Sequence, residues 1–165
     1  MTIRVFIAAL AGGVTMAIAE LLATTDPLAI AQLAVLGAAL AAAALYDLTQ
    51  RRIPNRIVIP AAAACAAVTL VAGTPLSLLI GLATVLLLVI VSLRWPAALG
   101  MGDVKLALLL VLGLDGDAIR ALMLGVALSA LAGCVLLVRR GRHAWKASLP
   151  LAPFLAAGAL LAVIT

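Results

Sequence analysis

Two aspartates, Asp47 and Asp103, stand among apolar segments of this chain, where a carboxylate is costly to place. An ionisable residue within or at the edge of a membrane-spanning helix is by default a functional candidate. Two carboxyl groups that approach closely cannot both ionise easily, so the pair shares one proton. Its ionised member can activate a water while its protonated member polarises a peptide carbonyl, which is the chemistry of aspartic proteases. That chemistry requires no metal ion, no histidine and no other cofactor.

A plain electrostatic role for both aspartates stays open at this point, and position alone slightly favours it. Asp103 is two residues from Lys105, and Asp47 is close to Arg51 and Arg52. Each aspartate would then balance these cations or cap a helix.

The residues around Asp103 favour a functional role. Gly100 and Gly102 precede it, and glycine lets another backbone approach closely, either that of a neighbouring helix or that of an extended substrate. A helix interrupted here would also offer free N–H groups to a substrate. A glycine pair before an aspartate is nevertheless a weak signal, because it also fits a packing site that ends in a helix cap.

The composition predicts that the bilayer is the main solvent of this protein. Of its 165 residues, 67% are hydrophobic and only 10% are charged, whereas a soluble domain carries about 25% charged residues. Aromatic residues make up 3% of the chain, which leaves no stacking surface for nucleic-acid bases. We therefore interpret the net charge of +5 as a signal of membrane orientation.

Seven apolar segments approach the length of about 20 residues that spans a bilayer, which predicts an all-α, polytopic membrane helix bundle. The segments cover about 4–23, 28–46, 56–72, 76–93, 97–114, 118–138 and 149–165.

The basic residues predict the orientation of this bundle. With a cytoplasmic N-terminus, ten of the eleven basic residues fall at cytoplasmic helix ends, and only Arg120 falls outside. The ten are Arg4, Arg51, Arg52, Arg56, Arg94, Lys105, Arg139, Arg140, Arg142 and Lys146. The same orientation puts Asp47 and Asp103 on the cytoplasmic side at similar depth, without another acidic residue there. It predicts a multi-pass protein of the inner membrane.

Three segments carry a family resemblance. The segment DLTQRRIPN, which begins at Asp47, resembles the first motif of the type IV prepilin peptidases, and GMGDVKL, which begins at Gly100, resembles their GxGDxK motif. The segment PLAPFLA, which begins at Pro150, resembles the opening of their last helix. All three follow the family's order, and the resemblance covers about residues 28–165.

The resemblance implies a membrane-embedded aspartic peptidase. Such enzymes remove the short basic leader of prepilins, pseudopilins or archaeal preflagellins at the cytoplasmic face, typically just after a glycine. Asp47 and Asp103 match the two catalytic aspartates. Residues that match the rest of the motifs, and that we expect to support the site or bind substrate, are Gly100, Gly102, Lys105, Arg52, Pro54, Asn55, Pro150 and Pro153.

Two departures from the family pattern shape the expected domain organisation. Bifunctional members carry a four-cysteine zinc domain and methylate the new N-terminus, but the cysteines of this chain are Cys65 and Cys134, both within apolar segments. We therefore expect no methyltransferase activity and a short peptidase-only form, similar to those of Tad/Flp pilus systems. Residues 28–165 would form the six-helix peptidase domain, and residues 1–27 an additional transmembrane helix. Glu20 in that helix and His143 in a basic loop are interpreted as interface and solvated residues.

Two alternatives remain. Tyr46-Asp47 with a GxGD motif also resembles the presenilin-like intramembrane proteases, although Ile53-Pro54-Asn55 and Lys105 favour the prepilin peptidases. From another class, a small transporter or an assembly factor would use two such carboxylates to bind a proton or a cation. The sequence identifies neither the prepilin partner nor the oligomeric state.

Overall fold

The computed structural model describes residues 7–8, 11–18, 26–72, 75–95, 99–140 and 150–165. Every regular element in these ranges is helical and none is a strand, which confirms the all-α class. The predictions for Arg4, Glu20, Arg142, His143 and Lys146 lie outside the described residues. The elements are α1 (11–18), α2 (Pro27–Gln50), α3 (Asn55–Ala72), α4 (Pro75–Arg94), α5 (Met101–Leu114), the 3-10 turn η1 (Asp115–Asp117), α6 (Ala118–Arg140) and α7 (Ala152–Ile164).

Helix α2 carries Asp47 in its last turn. It starts where the Asp26 carboxylate accepts the Leu28 N–H at 3.0 Å, with Pro27 in the first turn, where a missing N–H costs nothing. It ends at Gln50 because Arg51 adopts the left-handed conformation (φ 51°) and donates its N–H to the Asp47 carbonyl. The helix therefore continues past the predicted end at residue 46.

Helix α5 carries Asp103 in its first turn. Gly100 is the N-cap with extended backbone (φ −74°, ψ 144°), so the helix begins at Met101 rather than at the predicted residue 97. It ends at Leu114, where Asp115 takes a positive φ of 46° and the chain turns through η1 into α6. At about 1.5 Å per residue, the 14 residues of α5 extend about 21 Å.

Helix α5 lies at the centre of the bundle and contacts each of the other helices from α2 to α7. Leu106, Leu109, Leu110 and Val111 are completely buried in it. Close packing needs small residues on the neighbours: a Cβ atom on Gly81 of α4 would lie 2.5 Å from a methyl group of Val111. The apolar centre of the bundle is therefore built around the helix that carries Asp103.

The helix termini gather at two ends of the bundle. The site end holds the end of α2 and the first residues of α3, α5 and α7, which interact through Asn55, Lys105, Asp47 and Ala152. The far end holds the beginnings of α2 and α6 and the ends of α3, α5 and α7. Consecutive helices joined by short connections thus run in opposite directions.

The described part of α1 packs on α2 through two glycines. A Cβ atom on Gly12 would collide with the carbonyl oxygen of Gly37, and a Cβ atom on Gly37 with that of Gly12. Contacts between small residues of this kind hold helices together in membranes, where apolar burial alone gives no driving force. The division into an added N-terminal helix (1–27) and a six-helix domain (28–165) stays a prediction.

Two helical stretches of the described chain are long and apolar enough to cross a membrane, Pro27–Gln50 and Met101–Arg139. The second contains the turn at Asp115, and its α6 part alone is long enough to span: its 23 residues extend about 34 Å, against a hydrocarbon thickness of about 30 Å. Helix α4 exposes Leu79, Leu86 and Leu93 along its length, as expected of a lipid-facing helix. The count of seven spans and the cytoplasmic N-terminus stay predictions.

A polar cluster ties three helices together at the far end. The Gln32 Nε2 group of α2 donates to the Leu112 carbonyl of α5 at 2.9 Å and to the Thr69 hydroxyl of α3 at 3.2 Å. The Thr69 hydroxyl lies 2.7 Å from the same Leu112 carbonyl. Because Thr69 is only 4% exposed, water does not replace these bonds easily.

We expect Thr69→Val to destabilise the protein by about 1–2 kcal/mol, because it keeps the shape of the side chain but leaves buried polar groups of α2 and α5 with fewer partners. Thermal unfolding in detergent micelles measures the change. Thr84→Val is the matched control, because the Thr84 hydroxyl bonds the Ile80 carbonyl of its own helix. Equal effects of the two substitutions would contradict a role for the cluster in joining helices.

Candidate active site

A cavity of about 660 Å³ opens at the site end of the bundle, between the end of α2, the beginnings of α5 and α7, and the middle of α6. Both aspartates singled out in the sequence line it. The lining residues are Asp47, Arg51, Arg52, Ile53, Leu99, Gly100, Gly102, Asp103, Lys105, Ser129, Ala130, Pro150 and Leu151.

Asp47 is held by the beginning of α7. Its side chain is 8% exposed, and its Oδ2 atom accepts the backbone N–H of Ala152 at 3.1 Å. Ala152 is the first residue of α7, so this donor is one of the N–H groups that a helix start leaves without a partner. The positive end of the helix dipole faces the carboxylate, which stabilises a buried negative charge.

Asp103 is held by the beginning of its own helix. It is the third residue of α5, and its backbone N–H donates to the carbonyl of Gly100, the N-cap residue, at 3.0 Å. Its carboxyl group lies beside Gly100, in the first turn, where the helix dipole favours a negative charge. Asp103 is partly exposed to the cavity, and its carboxyl group lies close enough to Asp47 for the two to interact electrostatically.

Two contacts join the segment after Asp47 to the segment around Asp103. The Lys105 Nζ group donates to the Asn55 Oδ1 atom at 2.8 Å. Ile53 lies against Gly102, where an added Cβ atom would come within 3.1 Å of the Ile53 Cδ1 atom. The loop between α2 and α3 is thereby fixed to the first turn of α5.

The two glycines before Asp103 differ in what surrounds them. A Cβ atom on Gly102 would press on Ile53, whereas one on Gly100 would meet only the Asp103 Oδ2 atom, at an ordinary 3.5 Å. The backbone of Gly100 is also open to other residues, since its φ is −74°. Packing thus accounts for glycine at position 102, while at position 100 a side chain would occupy the cavity beside the carboxylate.

Comparison with protein families gives a match over residues 33–138 to the model of the type IV leader peptidase family. The chain belongs to the type IV leader peptidase family. The family resemblance of its motifs is thereby confirmed, and the protein is a protease of the leader peptidase kind. The comparisons with curated proteins and with solved structures gave no match.

The matched range contains two of the three motif segments of this leader peptidase family member. It includes Asp47 and Asp103, and it ends before the segment that begins at Pro150. For that last segment the link to the site is structural, namely the bond from the Ala152 N–H to Asp47.

The other motif residues have different positions relative to the cavity. Arg52 is exposed and, like Pro150, lines the cavity. Pro54 does not line it; its carbonyl accepts the N–H groups of Ile57 and Val58 and so begins α3.

Pro153 does not line the cavity either. It lies in the first turn of α7. There its missing N–H is harmless. Pro54 and Pro153 therefore help to position helices whose first residues reach the site.

Sequence reasoning missed Ser129 and Ala130, through which α6 lines the cavity. Neither residue belongs to a recognisable motif. The sequence offered one sign of its role: Ser129 is the one hydroxyl-bearing residue between 118 and 140, in a segment that is otherwise mostly apolar. Arg51 also lines the cavity, although only its neighbour Arg52 was singled out in the sequence.

The remaining described acidic residues lie at the far end, away from the cavity. Asp26 caps the beginning of α2, and Asp117 forms an ion pair with Arg120 at 3.1 Å. Within the described ranges, no group of three or more His, Cys, Asp or Glu side chains is placed to hold a metal ion. Asp47 and Asp103 are thus separated from the other acids, as the charge pattern predicted.

We expect Gly102→Val to destabilise the protein by about 1–3 kcal/mol, because added methyl groups overpack the contact with Ile53. Gly100→Val is the matched control and should change stability by much less. Adding Ile53→Ala to Gly102→Val should recover part of the loss, as measured by thermal unfolding in micelles. Equal losses for the two glycine variants would argue against the packing role of position 102.

Proposed function

We propose that this protein is an intramembrane aspartic endopeptidase that removes the basic leader of type IV prepilin-like proteins at the cytoplasmic membrane face. The observation that carries the proposal is that Asp47 and Asp103, on different helices, line one cavity at the junction of three motif segments. Membership in the leader peptidase family supports the reaction class.

In the proposed mechanism the two carboxyl groups share one proton and act on a water between them. The ionised carboxylate takes a proton from the water, and the oxygen of that water forms a bond to the carbon of the scissile carbonyl group. The protonated carboxyl hydrogen-bonds the carbonyl oxygen and stabilises the charge that develops there. A proton then passes to the amide nitrogen, the C–N bond breaks, and the leader leaves with a new carboxyl group while the mature chain keeps the amine. Asp47 and Asp103 have these roles, and no cofactor takes part.

Charge supports a cytoplasmic position for the site end. Among the described residues, the site end carries basic side chains and the far end carries mainly acidic ones. Those at the site end are Arg51, Arg52, Arg56, Arg94, Lys105 and Arg139, and those at the far end are Asp26, Asp115, Asp117 and Arg120. Because basic residues are retained on the cytoplasmic side, this distribution favours a multi-pass inner-membrane protein whose cavity faces the cytoplasm.

The substrate class follows from that position. A prepilin keeps its basic leader in the cytoplasm and its apolar helix in the bilayer, so its cleavage site lies at the boundary where the cavity opens. The net charge of the cavity does not favour a basic leader, because Arg51, Arg52 and Lys105 line the cavity together with the two aspartates.

A transporter is the weaker alternative because the chain matches the type IV leader peptidase family. A second cavity of about 330 Å³ at the far end is lined by Gln32, Asp115 and Asp117, among others. The completely buried Leu106 and Leu109 of α5 lie between it and the site cavity. These leucines separate the two cavities in this conformation. A presenilin-like protease with other membrane substrates remains the alternative within the enzymes.

We expect Asp47→Asn and Asp103→Asn each to lower leader removal by at least about a thousandfold, because either change removes one half of the acid–base pair. Purified protein in lipid vesicles is mixed with a prepilin, and the shift of the trimmed product on a gel gives the rate. Asp115→Asn is the matched control: it removes a carboxylate at the far end, away from the site cavity, and keeps the size of the side chain.

Normal processing by either site variant would exclude the aspartic mechanism. Wild-type protein that cleaves other membrane proteins but no prepilin would favour the presenilin-like alternative.

We expect Asp117 to face the outside and Arg56 the cytoplasm. Cys65 and Cys134, the described cysteines, are both free and are first replaced by alanine. Single cysteines are then introduced as Arg56→Cys and Asp117→Cys, both at exposed positions. A membrane-impermeant maleimide should label position 117 in intact cells and position 56 only after permeabilisation. The reverse pattern would contradict the proposed orientation.

A further inference from the structure

Helix α6 forms a wall of the site cavity through two small residues, Ser129 and Ala130. No motif and no part of the proposed acid–base chemistry accounts for them. Beyond this point the helix continues to Arg140, and none of residues 131–139 is buried. The part of α6 beyond the cavity is therefore not covered by other described helices.

Counting residues places this wall at the level of Asp103. Helices α5 and α6 pack against each other and are joined by the three-residue turn η1. Asp103 lies twelve residues before Asp115, and Ser129 lies twelve residues after Asp117. At about 1.5 Å per residue, both are roughly 18 Å from the turn. A chain that lies beside the Asp103 carboxyl group therefore also lies beside Ser129 and Ala130.

The chemistry of the two residues suits contact with a peptide. The Ser129 hydroxyl donates to the Val126 carbonyl of its own helix at 2.8 Å, which leaves the lone pairs of its oxygen free to accept a backbone N–H. Ala130 is exposed and carries only a methyl group, so the depth of the cavity opposite the aspartates depends on the size of this side chain.

We propose that Ala130 limits the size of the substrate side chain next to the scissile bond and that the Ser129 hydroxyl accepts a hydrogen bond from the substrate backbone. This inference rests on the proposed peptidase function and names the residues that select its substrate. The ligand class is an extended peptide segment that precedes an apolar helix. Ser129 is a binding residue and takes no part in bond cleavage.

The test uses Ala130→Val and Ala130→Gly in the full-length protein, reconstituted in vesicles. The substrates are synthetic chains with a basic leader, a defined pair of residues at the scissile bond, and an apolar helix of about 20 residues. Glycine, alanine and valine are placed in turn on each side of the bond. The measured quantity is the ratio of kcat/KM values for small and large side chains.

At one of the two substrate positions, Ala130→Val should raise the preference for the small side chain about tenfold, since added bulk in a binding site discriminates by that order. Ala130→Gly should lower the preference. Ala127→Val is the matched control, because Ala127 lies one turn away, is exposed and does not line the cavity. Because the two changes at position 130 act in opposite directions, a general loss of folding cannot imitate the result.

Ser129→Ala should lower kcat/KM by about five- to tenfold for every substrate without changing the ratios, since a backbone contact does not sense the side chain. If both Ala130 variants gave the same ratio of kcat/KM values for small and large side chains as Ala127→Val, Ala130 would not limit the size of the substrate side chain. Unchanged kcat/KM in Ser129→Ala would overturn the backbone contact. Wild-type protein that cleaves none of the substrates would overturn the proposed function itself, which separates that failure from the other two.

Discussion

The cost of placing two carboxylates inside an apolar bundle is the constraint on which the rest of this structure depends. A buried charge without partners costs on the order of several kcal/mol. The fold meets this cost at helix starts: the Ala152 N–H of α7 binds Asp47, and the Asp103 carboxyl group lies beside Gly100 at the start of α5, where the positive end of the helix dipole favours a negative charge. Both helices therefore begin at the level of the cavity.

The lengths of the helices follow from that requirement. Helices α5 and α7 have 14 and 13 residues, about 20 Å each, which is less than the hydrocarbon thickness of about 30 Å. Helices α2 and α6, with 24 and 23 residues, are long enough to cross it. Helix α6 continues eleven residues past Ser129, roughly 16 Å, and the cavity with the two aspartates lies beside this helix. Water can thus reach the two carboxyl groups through the open cavity.

Hydropathy and charge predicted the helical class, approximate helix positions from α2 to α7 and the separation of Asp47 and Asp103 from the other acids. They misplaced the two boundaries nearest the site. Apolar character cannot reveal that Arg51 adopts a left-handed conformation after Gln50, or that Gly100 caps α5, because both depend on local backbone geometry.

The contacts that assemble the site could not be predicted from the sequence either. Motif resemblance selected Lys105 and Asn55 without a reason, and for Gly102 the sequence left close approach to a helix or to a substrate open. The structure supplies the reasons: Lys105 binds Asn55, and Gly102 leaves room for Ile53. Ser129 was missed because a single serine in an apolar helix has no periodicity or motif to distinguish it. Its position became visible only when α5 and α6 were placed side by side.

The central claim is that Asp47 and Asp103 act as one proton-sharing pair on a peptide bond. The most direct measurement is the pH dependence of kcat/KM for leader removal by the purified protein in vesicles. A pair that must hold one proton predicts a bell-shaped profile, with activity lost in acid when both carboxyl groups are protonated and lost in alkali when both are ionised. A profile that depends on a single ionisation, or one that keeps its shape when Asp103 is replaced by asparagine, would contradict the claim.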